Sequence, residues 1–265
     1  MNGSVAAGWD IRAMNDEQLI RYSRQIMVPG LDLAGQERLL ASRVLLVGAG
    51  GLGSAVALYL AAAGVGHLKV ADFDRVALTN LQRQILHGTS DVGRLKTDSA
   101  RERLADINPE VTVEPVNQPL TADNLPAIVD AVDLVIDGSD NFATRFAVNA
   151  ACVGSRKPLV SGAVIGMDGQ VAVFRPDLGG PCYHCVYPDT GEEAVSCSEN
   201  GVLGPMPGVI GSLQAVEAIK VLTGLGEPLN HRLLSVDALT QRWRRIGLRR
   251  DPACPVCGPD AGQCD

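Results

Sequence analysis

The chain has no long hydrophobic run. Its longest nearly apolar stretch, Ala55 to Val65, falls well short of the roughly 20 residues a membrane-spanning helix needs. The first residues also lack a charged n-region followed by an apolar h-region, so a cytoplasmic protein with no membrane partner is expected. Positive charge is not in excess either. The 23 Lys and Arg stand against 30 Asp and Glu, a formal net charge of −7, which argues against a nucleic-acid partner because phosphates require a basic face. Apolar residues make up 46% and charged residues 20% of the 265, so the chain is globular and can bury a sizeable core. Internal repeats, low-complexity tracts and a clear linker are absent. A single domain is expected over 15–265, behind a weakly patterned extension over 1–14 in which Met14 is an alternative start.

What is present centres on Arg43 to Asp74. Val44 to Val47 reads as a buried strand, and Gly48, Gly50 and Gly53 then fit G-x-G-x-x-G ahead of a run of helix formers. Glycines there let a phosphate approach the backbone N–H groups at a helix N-terminus, where the dipole favours an anion. A second strand, His67 to Ala71, ends on Asp72, where an acidic residue takes ribose hydroxyls. A Gly-rich turn that merely packs helix on sheet is the plainer alternative.

Upstream, Asn15 with Gln18 reads as a capping box opening a helix from Asp16 to Ile26, which carries Arg21 and Arg24 on one side. A solvated basic face is one reading of that helix. Because it precedes the first strand, it is free to swing away from its own domain. Gly35 to Ala41 reads as a second short helix. After Asp72, Asn80, Gln82, Arg83 and Gln84 crowd into an aperiodic loop that suits either a structural polar network or a triphosphate. Lys96 opens a helix with Ala100, Leu104 and Ile107 on its apolar face, stopped by Asn108-Pro109. Val111 to Val116 alternates as a strand, and Thr121 caps the next helix.

The strand Leu134 to Ile136 empties into DGSDNFATR. In a doubly wound sheet, ligands gather at the carboxyl ends of the strands, so Asp140 and Asn141 are expected on the same edge as Gly50 and Asp72. Acidic groups on a phosphate edge suit a divalent cation between them and the phosphates. Asp140 also reads as the N-cap of a helix from Phe142 to Val153. Beyond Pro158 the sheet is expected to turn antiparallel, with a hairpin at Asp168-Gly169, a helix from Ser212 to Leu222 and a last strand at Leu233 to Val236. Trp243 to Leu248 is a candidate further strand.

Seven cysteines is an odd number, and four of them form two C-x-x-C pairs, Cys182/Cys185 and Cys254/Cys257. One pair alone fits a redox dithiol, whereas two pairs fit one structural zinc with no open coordination position.

Taken together, RYSRQI, GAGGLGS, DFD followed by LTNLQRQ, DGSDN, GVIGSLQAVEAIK and the paired cysteines resemble one family over Asp16 to Cys257. It is the family of sulfur-carrier adenylyltransferases of the molybdopterin-synthase (MoeB) and thiamine-pathway (ThiF) type, with the adenylation domains of ubiquitin-activating enzymes. The resemblance implies an α/β fold with a Rossmann-like, mostly parallel sheet, helices on both faces, and antiparallel strands with a zinc-stapled region towards the C-terminus. It implies a homodimer that uses ATP and Mg²⁺ to adenylate the C-terminal Gly-Gly carboxylate of a small ubiquitin-fold sulfur carrier. By the same resemblance Gly51 joins Gly48, Gly50 and Gly53 in the phosphate turn, and Asp72, with Asp74 beside it, takes the ribose. Asn80 and Arg83 hold the phosphates, Lys96 reaches them, Asp140 binds Mg²⁺, and Arg24 enters the neighbouring subunit's site. Sulfur would come from a separate desulfurase or rhodanese-type donor.

Cys197 is the remaining catalytic candidate: the resemblance implies a part in sulfur transfer, covalent linkage to the carrier, or no part in adenylation. Glu192, Glu193 and Glu199 around it tend to raise a thiol pKa. Molybdenum-cofactor and thiamine carriers are both open, the former favoured. Two other classes compete: an NAD-dependent dehydrogenase on the same glycine turn, and a non-enzymatic platform for a ubiquitin-like partner. Arg24, Arg83, Lys96 and Asp140 count against the latter.

Overall fold

The structure, a computed structural model, describes residues 14–187 and 201–259. Its centre is one eight-stranded sheet in the order β3-β2-β1-β4-β5-β6-β7-β8. The strands are β1 (Arg43–Val47), β2 (His67–Ala71), β3 (Thr112–Val116), β4 (Leu134–Asp137), β5 (Leu159–Ile165), β6 (Asp168–Phe174), β7 (Arg232–Asp237) and β8 (Arg242–Gly247). The first five pair in parallel, and β6 to β8 pair antiparallel. In β1 every residue from Val44 to Val47 is buried, as a central strand covered on both faces requires.

One face of the sheet is covered by α3 (Asp32–Ala41), α4 (Gly51–Ala62), α5 (Lys96–Ile107) and α9 (Pro205–Thr223). The other carries α6 (Leu125–Asp130), α7 (Phe142–Gly154) and the single turn α8 (Tyr183–Val186). No described helix is long and apolar enough to cross a membrane.

Several boundaries differ from the sequence expectation. The N-terminal helix is two pieces, α1 (Asp16–Arg21) and α2 (Ser23–Ile26), broken at Tyr22. The capping box at Asn15 and Gln18 is present. The break follows from packing. Tyr22 is buried against Gly64, and its hydroxyl accepts from Asn108 Nδ2 at 2.8 Å. Gln25 Nε2 in turn donates to Gln36 Oε1 and to the Ala63 carbonyl. The segment is therefore anchored to its own domain rather than free to swing.

Thr121 does not cap α6 directly. It exchanges backbone-to-side-chain hydrogen bonds with Asn124, and the helix begins one residue after that turn. The β5–β6 hairpin turns at Gly166-Met167, with Gly166 at φ +59°, while Asp168 already pairs with Ile165. The helix expected from Ser212 starts at Pro205, with Gly211 inside it serving close packing. A Cβ on Gly211 would lie 2.4 Å from the Leu52 carbonyl oxygen of α4.

Candidate active site

The strand order reverses at β1, which lies between β2 and β4, and a crevice opens where the connections leave in opposite directions. A cavity of about 530 Å³ occupies it, within the size range of small-molecule sites. Of the residues singled out in the sequence, Gly48, Gly50, Gly51, Asp72, Asp74, Arg83, Lys96, Asp140 and Asn141 line it. Gly53, Asn80 and Arg24 do not, and Cys197 lies outside the described residues.

The glycine turn is built by close approach. Gly48 holds φ +90°, and a Cβ on Gly53 would stand 1.9 Å from the Gly48 carbonyl oxygen. Gly53→Ala is accordingly expected to cost about 3 kcal/mol through forced displacement of the turn. Urea unfolding would measure it, and an alanine variant as stable as the parent would refute this account of the turn. Gly50 is the N-cap of α4 and supplies no side-chain cap, and no acidic residue occupies the first helical turn. The orphan N–H groups of that turn therefore lack a side-chain cap at an end where the dipole favours an anion. Asp72 braces the turn: its Oδ2 accepts from the Ala49 N–H at 2.8 Å and its Oδ1 from the Asp74 N–H at 2.9 Å.

Lys96, the first residue of α5, is 5% exposed. Its Nζ lies 2.8 Å from Asp74 Oδ2 and 3.6 Å from Asp72 Oδ2. A buried ammonium held at the cavity wall by two carboxylates is available to a polyanion with little rearrangement. Asn80 acts one step back from the cavity: its Oδ1 accepts from Arg83 Nη2 at 3.0 Å, so it orients the guanidinium.

Across the cavity the N-cap of α7 is Asn141, whose Oδ1 accepts from the Thr144 N–H at 2.8 Å. Asp140, read from sequence as a candidate cap, is thereby left exposed on the cavity edge, with no ion-pair partner among the described residues. That is the condition in which a carboxylate suits a hydrated divalent cation.

Sequence reasoning passed over the support beneath this edge. Asp137 is 1% exposed, and its Oδ1 accepts from both the N–H and the Oγ of Ser139, at 2.9 and 2.6 Å. Arg145, buried on α7, donates to the Ser139 carbonyl and lies 4.0 Å from Asp137. The Tyr183 hydroxyl accepts from Arg145 as well, and burial pushes the pKa of that phenol up to about 12. The available signal was Arg145 as the one charged residue of α7, four residues beyond Asn141.

The four paired cysteines converge. Their sulfurs lie within 4.8 Å of one another, with Cys182–Cys185 at 3.9 Å, Cys182–Cys254 at 3.7 Å and Cys185–Cys257 at 3.4 Å. These distances exceed the ~2.05 Å of a disulfide. They match the roughly 3.8 Å edge of a tetrahedron with metal–sulfur bonds near 2.3 Å. The donor set fits a single tetrahedral metal ion.

A glycine turn on an uncapped helix, facing a buried lysine and a carboxylate with no ion-pair partner among the described residues, defines an α/β nucleotide-binding protein, and a separate cluster of four cysteines could hold a metal ion. The chain belongs to the ThiF family, whose profile matches residues 22–256. It is 50% identical over 245 residues to the molybdopterin-synthase adenylyltransferase of Escherichia coli K12, covering 92% of this chain and 98% of that one. To the sulfur carrier protein ThiS adenylyltransferase of the same strain it is 46% identical, covering 92% and 97%. To the sulfur carrier protein adenylyltransferase of Thermus thermophilus it is 49% identical, covering 93% of each. The crystal structure of E. coli MccB with MccA-N7isoASN shares the fold, with TM-score 0.81, 24% identity and coverage of 92% and 76%. The protein is thus an adenylyltransferase-type enzyme, and its family implies ATP as substrate.

Proposed function

We propose that this enzyme adenylates the C-terminal Gly-Gly carboxylate of a small ubiquitin-fold sulfur-carrier protein, releasing pyrophosphate. The favoured carrier is the small subunit of molybdopterin synthase, in molybdenum cofactor biosynthesis. The observation that carries this reading is the pairing, across one cavity, of an uncapped glycine turn and buried Lys96 with Asp140, which has no ion-pair partner among the described residues, in a chain half identical to a molybdopterin-synthase adenylyltransferase. Those groups suit a triphosphate with a divalent cation; a nicotinamide needs neither.

The chemistry is electrostatic and positional. A carboxylate is already ionised at neutral pH, so its attack on the α-phosphorus requires no general base, which fits a cavity with no histidine among the described residues that line it. Negative charge grows on the phosphoryl and pyrophosphate oxygens. Lys96 and Arg83 lie where they would stabilise it, and the α4 N-terminus would hold an anion in place. Asp140, with Asn141 beside it, would hold Mg²⁺, which supplies charge neutralisation between the phosphates. Asp72 would bind the ribose. Zn²⁺ held by Cys182, Cys185, Cys254 and Cys257 would be structural, since four thiolates leave no open position.

In this reading residues 15–265 form a single adenylation domain behind a short N-terminal extension. The enzyme is a cytoplasmic homodimer with Arg24 completing the neighbouring site. Cys197 belongs to sulfur transfer rather than adenylation, with sulfur supplied by a separate donor protein. The choice of carrier is tested by incubating the enzyme and MgATP with the molybdopterin-synthase subunit and, separately, with the thiamine-pathway carrier, then weighing the products. Faster adenylate formation on the former is expected. Preference for the thiamine carrier would reassign the pathway and leave the reaction intact.

A further inference from the structure

His87 follows the polar loop, lies outside the cavity lining and is given no part in the reaction above. It is nevertheless 7% exposed with both ring nitrogens in use: Nε2 lies 2.9 Å from the Ala49 carbonyl oxygen and Nδ1 lies 2.8 Å from Ser99 Oγ on α5. A carbonyl only accepts, so Nε2 carries the hydrogen, and in the neutral ring Nδ1 accepts from the Ser99 hydroxyl. Burial lowers the ring's pKa below its ordinary value. The Ala49 carbonyl, Asp91 and Asp72 oppose that shift, and Lys96 adds to it. The neutral ring therefore prevails at neutral pH.

The peptide it touches lies inside the glycine turn. The N–H of Ala49 is held by Asp72 and its C=O by His87, so the residue between Gly48 and Gly50 is gripped on both sides by side chains from other segments. The peptide group is planar and trans, and the C=O of Ala49 and the N–H of Gly50 point in opposite directions. A carbonyl turned to His87 therefore turns the Gly50 N–H away from it. That N–H makes no hydrogen bond with any other described residue, and Gly50 lines the cavity. A hydrogen bond accepted at the carbonyl also polarises the same amide as a donor.

We infer that His87 is a positioning residue for phosphate binding: by donating to the Ala49 carbonyl it aims the Gly50 N–H into the nucleotide cavity. The inference rests on the nucleotide reading above. Ser99 fixes the ring's tautomer, and Asp91 stands behind it. Burial alone would raise the Asp91 carboxyl, but hydrogen bonds from the Gly88 N–H and Arg94 oppose it, and the carboxyl lies below the usual carboxylate range.

The test compares two amides of similar polarity. The Nε2 of a glutamine overlays histidine Nε2, whereas the shorter asparagine overlays only Nδ1. His87→Asn is expected to weaken MgATP binding roughly tenfold, as loss of a buried hydrogen bond can, and His87→Gln to recover most of that, with both variants losing thermal stability alike. Calorimetric titration with MgATP gives the affinities. If the parent protein binds no MgATP, the nucleotide reading fails and this inference falls with it. If the parent binds and the two variants bind equally, only the inference falls.

A second readout needs no variant. In protein labelled with carbonyl-¹³C alanine and ¹⁵N glycine, the Ala49–Gly50 amide resonance is expected to move downfield on adding MgATP, and the His87 ring to carry its hydrogen on Nε2. An unmoved amide, or a ring protonated only at Nδ1, overturns the proposal.

Discussion

Arg24→Ala and Asp140→Ala are each expected to abolish most adenylation activity, by ~10³-fold for the arginine finger, and a mixture of the two inactive proteins is expected to regain part of it. The reason lies in where Arg24 is held. It sits exposed on α2, away from the lining of its own chain's cavity, on a segment pinned by buried Tyr22 and by the Gln25–Gln36 hydrogen bond of 2.6 Å. A pinned, outward-facing arginine serves a second copy more readily than its own site. In a heterodimer of the two variants, the chain that keeps Asp140 receives an intact Arg24 from its partner. Random subunit exchange makes half the dimers mixed, each with one working site, so recovery approaches about a quarter of the parent activity. Confirmed exchange with no recovery would mean that Arg24 acts within its own chain or not at all.

The second large effect concerns the four thiols. The purified protein is expected to hold about one equivalent of zinc, and Cys182→Ala or Cys254→Ala to lose it. Structural zinc binding is worth on the order of 10 kcal/mol, and here it is concentrated where little else holds the chain. Residues 248–259 form turns without a strand or helix, tied back by the Leu248 N–H to the His231 carbonyl and the Asp251 N–H to Cys185 Sγ, while Arg250 donates to the Cys257 carbonyl within the tail itself. Loss of the metal is therefore expected to raise amide exchange first in that tail and in α8, with β1, β2 and β4 protected longest. Four freely titrating thiols in a fully folded, metal-free protein would refute the zinc assignment. Because Tyr183 adjoins Cys182 and accepts from Arg145, which supports Ser139, a fall in nucleotide affinity is expected to follow.

Much of this was legible in the sequence because it is local. The bounds of β2 and α5 match the reading from apolar pattern, and the capping box at Asn15 is where the spacing places it. The glycine turn, Asp72, Lys96 and Asp140 meet at one sheet edge because strand order in a doubly wound sheet brings successive strand ends together.

What was missed depends on contacts between distant segments. Gly211 reads as a helix breaker until the Leu52 backbone is seen against it, and Gly166 wins the hairpin from Asp168-Gly169 through register with β6. Tyr22 interrupts a periodic helix because its ring has a site beside Gly64 and Asn108. Arg145 lines the cavity and His87 backs the glycine turn from outside it, and the local patterns of their segments give no hint of the contacts with Ser139 and Ala49. The exchange of roles at α7 is subtler. Asn141 takes the cap, which frees Asp140, and only the backbone at φ −133°, ψ 147° decides which of two adjacent residues does so.

The most direct measurement is pyrophosphate exchange into ATP in the presence of a ubiquitin-fold sulfur carrier. Exchange is expected with the carrier ending in Gly-Gly and is expected to vanish when those two glycines are removed, because their carboxylate is the nucleophile. Exchange indifferent to the tail, or hydride transfer to a nicotinamide in its place, would contradict the account.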